Sequence, residues 1–138
     1  MTNKFTILGS GSSLGVPRID GDFGKCSPND YKNYRTRCCA HLKFNEISIL
    51  IDTSPDLRSQ LLRNKIKDVD YILYTHAHAD QTHGINDLRA FYMQNKKQIN
   101  IYSDIITAKY LKKTFGYCFS KNSQEYPATL KLNKINKD

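Results

Sequence analysis

Short strand-like runs alternate with helix-spaced segments through most of this chain. Residues 47–51, 70–75 and 99–102 are dense in Ile, Leu and Tyr and too short for helices. Between and after them, Leu57, Leu61 and Leu62, then Ile85, Leu88, Phe91 and Tyr92, then Ile105, Ala108, Leu111 and Phe115 recur every three or four residues. Each such helix carries one apolar stripe, and a stripe needs a sheet face to cover it. The order therefore demands an α/β fold.

The rest of the chain fits that frame. Residues 4–8 read as a first strand, broken by Gly9-Ser-Gly11-Ser-Ser-Leu-Gly15-Val-Pro17. Residues 18–37 are polar and read as a long functional loop. Residues 39–44 and 47–51 flank Asn45-Glu46 as a hairpin, which makes the sheet mixed in direction. Ser54-Pro55-Asp56 reads as a helix start, with Ser54 as N-cap and Asp56 in the first turn. A helix is expected over 85–94. Another is capped by Ser103 or Asp104 and stopped by Gly116. Residues 1–120 are expected to form one folded unit. Residues 121–138 are expected to be a polar tail with at most one strand, over 129–132, and a solvated end over 133–138. Every predicted helix covers one sheet face, and no segment remains for the other.

At 138 residues the chain suits one domain. Nothing approaches the run of about 20 apolar residues that spans a membrane, and the N-terminal apolar stretch is too short for a signal peptide. The expectation is a soluble cytoplasmic protein with no membrane contact. The net charge of +8 admits an anionic partner such as nucleic acid, but Lys supplies 15 of the 21 cations, beside 11 Asn and 13 Ile, the pattern of a composition bias. The four cysteines contain no C-x-x-C pair, which argues against a zinc ribbon and for reduced thiols.

Chemistry concentrates in residues 75–84, Thr-His-Ala-His-Ala-Asp-Gln-Thr-His-Gly. Imidazole and carboxylate are the common ligands of hard and borderline metal ions. His76 and His78, one residue apart after a buried strand, can reach one ion; Asp80 can reach the same ion or a second. His83 is a further candidate. Among the arginines, whose forked guanidinium matches phosphate, Arg18, Arg35, Arg37, Arg58 and Arg89 are candidate phosphate contacts, with Arg18 and Arg89 foremost.

Thr75-His-Ala-His-Ala-Asp80 resembles the His-x-His-x-Asp-His signature of the metallo-β-lactamase fold hydrolases. The strand and glycine turn from Phe5 through Gly11 to Pro17, the segment Ile49-Leu-Ile-Asp52-Thr-Ser-Pro-Asp56-Leu-Arg58, and Gly84-Ile-Asn-Asp-Leu-Arg89 agree in order with the family's phosphodiesterase branches, those like the phosphoribosyl cyclic phosphate diesterase above all. The resemblance implies a four-layer αββα sandwich of two similar halves, with this chain as the N-terminal half: a mixed sheet with amphipathic helices on one face. It implies Zn²⁺ or Mn²⁺ held by His76, His78 and Asp80, with Asp80 at the reaction centre and Asp52 orienting a ligand imidazole. Gln81 stands where the family has another His.

No His follows His83, so the family's later ligands are absent and at most one ion is expected. The expected function is a metal-dependent, phosphodiesterase-like hydrolase, truncated and short of the ligands for activity alone. The alternatives are a non-catalytic half-domain needing a C-terminal partner, and an RNA-processing nuclease relative. Expected partners are a small phosphodiester or RNA substrate, and a C-terminal half-domain or a second copy against the open sheet face.

Overall fold

The computed structural model describes residues 3–121 and 126–135. Six strands form one sheet in the order of the chain: β1 (Lys4–Gly9), β2 (Cys39–Phe44), β3 (Ile47–Ile51), β4 (Tyr71–Leu73), β5 (Ile99–Ser103) and β6 (Leu130–Lys134). The first three pair antiparallel and the last three join parallel. Phe44 faces Ile47 across a two-residue turn, and Asn45 takes the positive φ of 52° that such a turn requires. The helices are α1 (Leu57–Arg63), α2 (Ala79–Thr82), α3 (Arg89–Asn95), α4 (Ile105–Thr114) and α5 (Gly116–Phe119). This is the mixed α/β sheet expected, and no helix of the described residues is long and apolar enough to cross a membrane.

Alternation along the strands separates two unlike faces. Leu50, Ile72, Ile101 and Leu130 point to one side and are essentially inaccessible to solvent. There they join Leu57, Leu61, Leu88, Phe91, Leu111 and Phe115 of the helical segments in a single core. The register places the intervening residues on the other side, where Phe5, Ile7, Phe44, Ile47 and Leu73 are exposed. The helices thus cover one face and leave the other open, as half of a sandwich would.

Several boundaries differ from the sequence expectation for local reasons. The strand expected over 70–75 is only Tyr71–Leu73, because the chain then turns to build the site. Ser54 does not cap α1 directly. Its Oγ accepts the Asp56 N–H and its carbonyl accepts the Leu57 N–H, forming a turn ahead of the helix. Asp56 occupies the N-cap position without capping, since Arg37 takes its carboxylate. The helix expected over 85–94 begins as a 3₁₀ turn, Ile85–Leu88; the i, i+3 eclipsing of that geometry puts Ile85 and Leu88 into the core together. Asp104, not Ser103, caps α4 by accepting the Thr107 N–H at 2.7 Å. α4 ends at Thr114, just before Gly116 as expected, and Gly116 then opens a separate short helix, α5. The strand expected over 129–132 is β6, which runs on through Lys134; of the solvated end expected there, residues 136–138 lie outside the described residues, as do 122–125 of the preceding segment.

Ile72 and Leu73 are neighbours on opposite faces, so they separate the two environments. Ile72→Ala is expected to cost about 2–5 kcal/mol in urea unfolding, as for other emptied core sites. Leu73→Ala is expected to cost under about 1 kcal/mol. Equal losses would contradict the one-sided core.

Candidate functional site

Because β1 runs parallel to β3, the loops that leave β1, β3, β4 and β5 all emerge on one sheet edge, the edge where ligands bind in open α/β sheets. Asp52 ends β3 there. It is buried, it takes a left-handed φ of 62°, and its N–H still donates to Leu73 O at 2.8 Å. A side chain held in that conformation is strained unless its surroundings fix it. Thr75 does so: its N–H donates to Asp52 Oδ1 at 2.8 Å and its hydroxyl to Oδ2 at 2.7 Å. Burial pushes the Asp52 carboxyl up, and these two bonds pull it back.

The Thr75 hydroxyl has one proton, and Asp52 receives it. The 2.9 Å contact between Thr75 Oγ1 and His76 Nδ1 must therefore be a donation from Nδ1–H. That fixes the neutral His76 tautomer with a lone pair on Nε2. Nε2 faces His78 Nδ1 at 3.0 Å, with the rings nearly perpendicular at 77°. Two imidazole nitrogens on one tetrahedral ion, each at about 2.0–2.1 Å, would stand about 3.3 Å apart. Asp52 thus orients His76, but through Thr75 rather than by direct contact.

The segment carrying the imidazoles is fastened to β3's loop by Thr53, which is fully buried. Its N–H donates to Gln81 O at 2.7 Å, its carbonyl accepts the Gly84 N–H at 2.9 Å, and its hydroxyl lies 2.6 Å from Tyr74 Oη. A Cβ on Gly84 would stand 2.0 Å from Ser54 O, so only glycine permits this approach.

The remaining candidates are dispersed. Asp80 begins α2's first turn and its Oδ2 accepts from Gln81 Nε2 at 2.8 Å. Gln81 is buried, and its Oε1 finds no hydrogen-bond partner. An orphaned acceptor beside a carboxylate is a place a cation or water would satisfy. His83 contacts Thr82 Oγ1 at 3.1 Å and packs on Phe115, with ring centroids 5.4 Å apart. Among the described residues no three His, Cys, Asp or Glu side chains form one metal cluster. The chain's own side chains therefore fit a metal ion at two positions, His76 and His78, and do not close its coordination. Arg18 is paired with Asp22 at 3.1 Å. Arg89 lies over the Tyr126 ring, 5.2 Å from its centroid. The sequence reading passed over Thr75 and Thr53; the only signal for Thr75 was its place directly before the first imidazole.

Arg37 and Asp56 bind this edge to the 18–37 loop. Arg37 Nε and Nη2 donate to the two Asp56 oxygens at 2.9 and 2.7 Å, and the Arg37 backbone N–H adds a third bond at 2.9 Å. These bonds hold the Asp56 carboxyl below its ordinary value, and with help from the nearby Asp80 charge they raise the Arg37 guanidinium.

The beta-lactamase superfamily domain matches residues 48–138. The chain belongs to this superfamily. A diphosphatase of the PhnP family, known from its crystal structure, is 33% identical and superposes with a TM-score of 0.85 over 100% of this chain and 52% of its own. Zn²⁺-bound PqqB from Methylobacterium extorquens is 17% identical, with a TM-score of 0.67 over 97% of this chain and 46% of its own. An octanoyltransferase of Porphyromonas gingivalis is 34% identical over 135 residues, 96% of this chain but 27% of that protein. This superfamily member thus spans about half the length of those two solved relatives. The fold expected from the His-x-His-x-Asp motif is the fold found.

Two outcomes check this geometry. Gly84→Ala is expected to destabilise the fold by more than 2 kcal/mol (order of magnitude, about the range for disrupted backbone contacts), read as a lower urea midpoint. For Asp56, the depressed carboxyl contributes stability above its ordinary value near 3.8 and loses it as pH falls through the lower folded value. Wild type should therefore lose stability below about pH 4 more steeply than Asp56→Asn. Parallel curves would refute the Arg37–Asp56 coupling.

Proposed function

We propose that this chain supplies one side of a metal-dependent hydrolase centre that acts on a phosphodiester, in a small cyclic phosphate or RNA. The observation that carries the reading is the His76–His78 pair, with its tautomer set through Thr75 by Asp52. Zn²⁺ or Mn²⁺ would be held by these two imidazoles, and when bound would supply Lewis-acid polarisation of a phosphoryl oxygen. Asp52 and Thr75 hold the His76 ring by its Nδ1 side and aim Nε2. Asp80, which accepts from Gln81, is the carboxylate proposed for a second contact or for moving a proton. The likeness to a PhnP-family diphosphatase across the whole chain supports phosphate-ester chemistry.

The open sheet face is proposed to take a second sheet layer that carries the remaining ligands, on this polypeptide or another. Its support is the row of exposed Phe and Ile side chains beside a half-closed site. Acyl transfer, named for the octanoyltransferase, finds less support in the thiols. Cys39 and Cys118 are buried, and burial pushes both up, Cys39 to about 12, so neither is a thiolate nucleophile at neutral pH.

Elemental analysis after loading with Zn²⁺ or Mn²⁺ tests the assignment. His76→Ala should abolish bound metal, and Thr75→Val should weaken affinity about 10–100-fold, as loss of an orienting partner does. Metal content unchanged in His76→Ala would refute the ligands. Hydrolysis of bis(p-nitrophenyl) phosphate, with and without a C-terminal half-domain, tests whether one side suffices.

A further inference from the structure

We propose that a second site on this edge binds a nucleoside phosphate, with the base against Tyr34 and the phosphate between Arg35 and Arg63. The loop after β1, the segment Tyr34-Arg35-Thr36-Arg37 and Arg63 line a cleft of about 430 Å³, within the range of about 300–1,000 Å³ usual for small-molecule sites. One wall is apolar: Leu14, Val16, Pro17 and Ile19, with Leu14 and Ile19 largely exposed. Arg35, Arg37 and Arg63 line the same cleft, and its single carboxylate, Asp56, is already taken by Arg37. Tyr34 also lines it, 58% exposed and braced edge-on by Phe23 at 5.0 Å.

A smaller compartment of about 170 Å³ is lined in part by the same residues. It shares Tyr34, Arg35, Thr36 and Arg63, and adds Ser10 and Lys32. Arg35 Nη1 donates to Ser10 Oγ at 2.8 Å. Among the described residues, no carboxylate pairs with Lys32, Arg35 or Arg63. Three unpaired cations gathered around one hollow repel each other, and an anion relieves that cost. A solvated basic surface would account for the charge alone. It would not account for large apolar side chains and a braced tyrosine left open beside the guanidinium groups.

The two compartments differ in kind, and the ligand must match both. Inorganic phosphate would use only the polar one. A nucleoside phosphate has a planar face to stack on Tyr34 and an anionic end for the Arg35–Arg63 fork. The inference rests on the cleft's own residues and does not depend on the His76–His78 pair.

Isothermal titration of the full chain with AMP, ribose 5-phosphate, inorganic phosphate and a short oligoadenylate tests it. AMP is expected to bind about fivefold or more tighter than ribose 5-phosphate, the equivalent of one stacked base. Tyr34→Ala should erase that difference. Arg35→Ala with Arg63→Ala should weaken every phosphate about tenfold or more. Arg35→Lys with Arg63→Lys should restore part of that loss, which a merely unfolded variant would not. Tighter binding per nucleotide by oligoadenylate would identify RNA as the source of the nucleotide, and tighter AMP a free nucleotide. EDTA should leave the affinities unchanged, which separates this site from the imidazole pair. Equal affinity for all four probes, or no loss in the arginine variants, would overturn the proposal.

Discussion

Thr53 is the residue on which the arrangement turns. It has no exposed surface, and its N–H, carbonyl and hydroxyl are all engaged by the segment from Tyr74 to Gly84. Without those bonds the turn after β4 would be an eleven-residue excursion tied only at its ends, with its polar backbone groups near the core unpaired. Buried backbone groups must find partners, and Thr53 supplies them to Gln81 and Gly84 together. Gly84 completes the contact by having no side chain, since Ser54 O occupies the place where a Cβ would stand. The imidazole pair is precise because this seam is dry and closed.

From that seam a short relay sets the chemistry. Asp52 holds a left-handed backbone conformation that aspartate tolerates better than most residues, and both its carboxylate oxygens accept from Thr75. Thr75 passes the constraint on by accepting a hydrogen bond from His76 Nδ1–H. A direct carboxylate–imidazole bond would do the same for ring orientation. The threonine adds a backbone anchor that the side chain alone could not provide, because its own N–H is one of the two groups bound. Strain at Asp52 and the position of His76 Nε2 are thereby one fact rather than two.

How much of this was legible in the sequence depended on the range of the interactions. Strand and helix identities followed from local periodicity, which is why the runs over 47–51, 70–75 and 99–102 were assignable as strands. Boundaries failed where a long-range partner overrode a local signal. Asp56 has the chemistry of an N-cap, but Arg37, nineteen positions away, offers a bidentate ion pair that a cap cannot match. Gly116 has the chemistry of a helix stop and α4 does end just before it, yet α5 starts on it. In the site, the His-x-His spacing announced the two imidazoles. Nothing in the spacing announced that His83 would pack on Phe115, because that depends on where α4 ends in space. The cleft walled by Arg35 and Arg63 was equally hidden: its members are far apart in sequence and meet only when α1 crosses behind β1.

The two sheet faces and the two incomplete coordination positions have a common cause. In an α/β sheet with helices on both sides, each strand is apolar in both directions. β3 here is just such a strand: Ser48 and Leu50 point inward, while Ile47, Ile49 and Ile51 point to the open side. β1 adds Phe5 and Ile7 to that side, and β4 adds Leu73, so the apolar surface spans adjacent strands rather than occurring singly. Patches of that kind on a folded domain mark interaction surfaces, and a second sheet layer is the occupant proposed for this one. The imidazoles stand on the edge where such a layer would arrive. A covering sheet would exclude water from the open face and bring new side chains to the same edge in one step. Burial and ligation would then be coupled, and the strength of metal binding would report on how completely the second layer is seated.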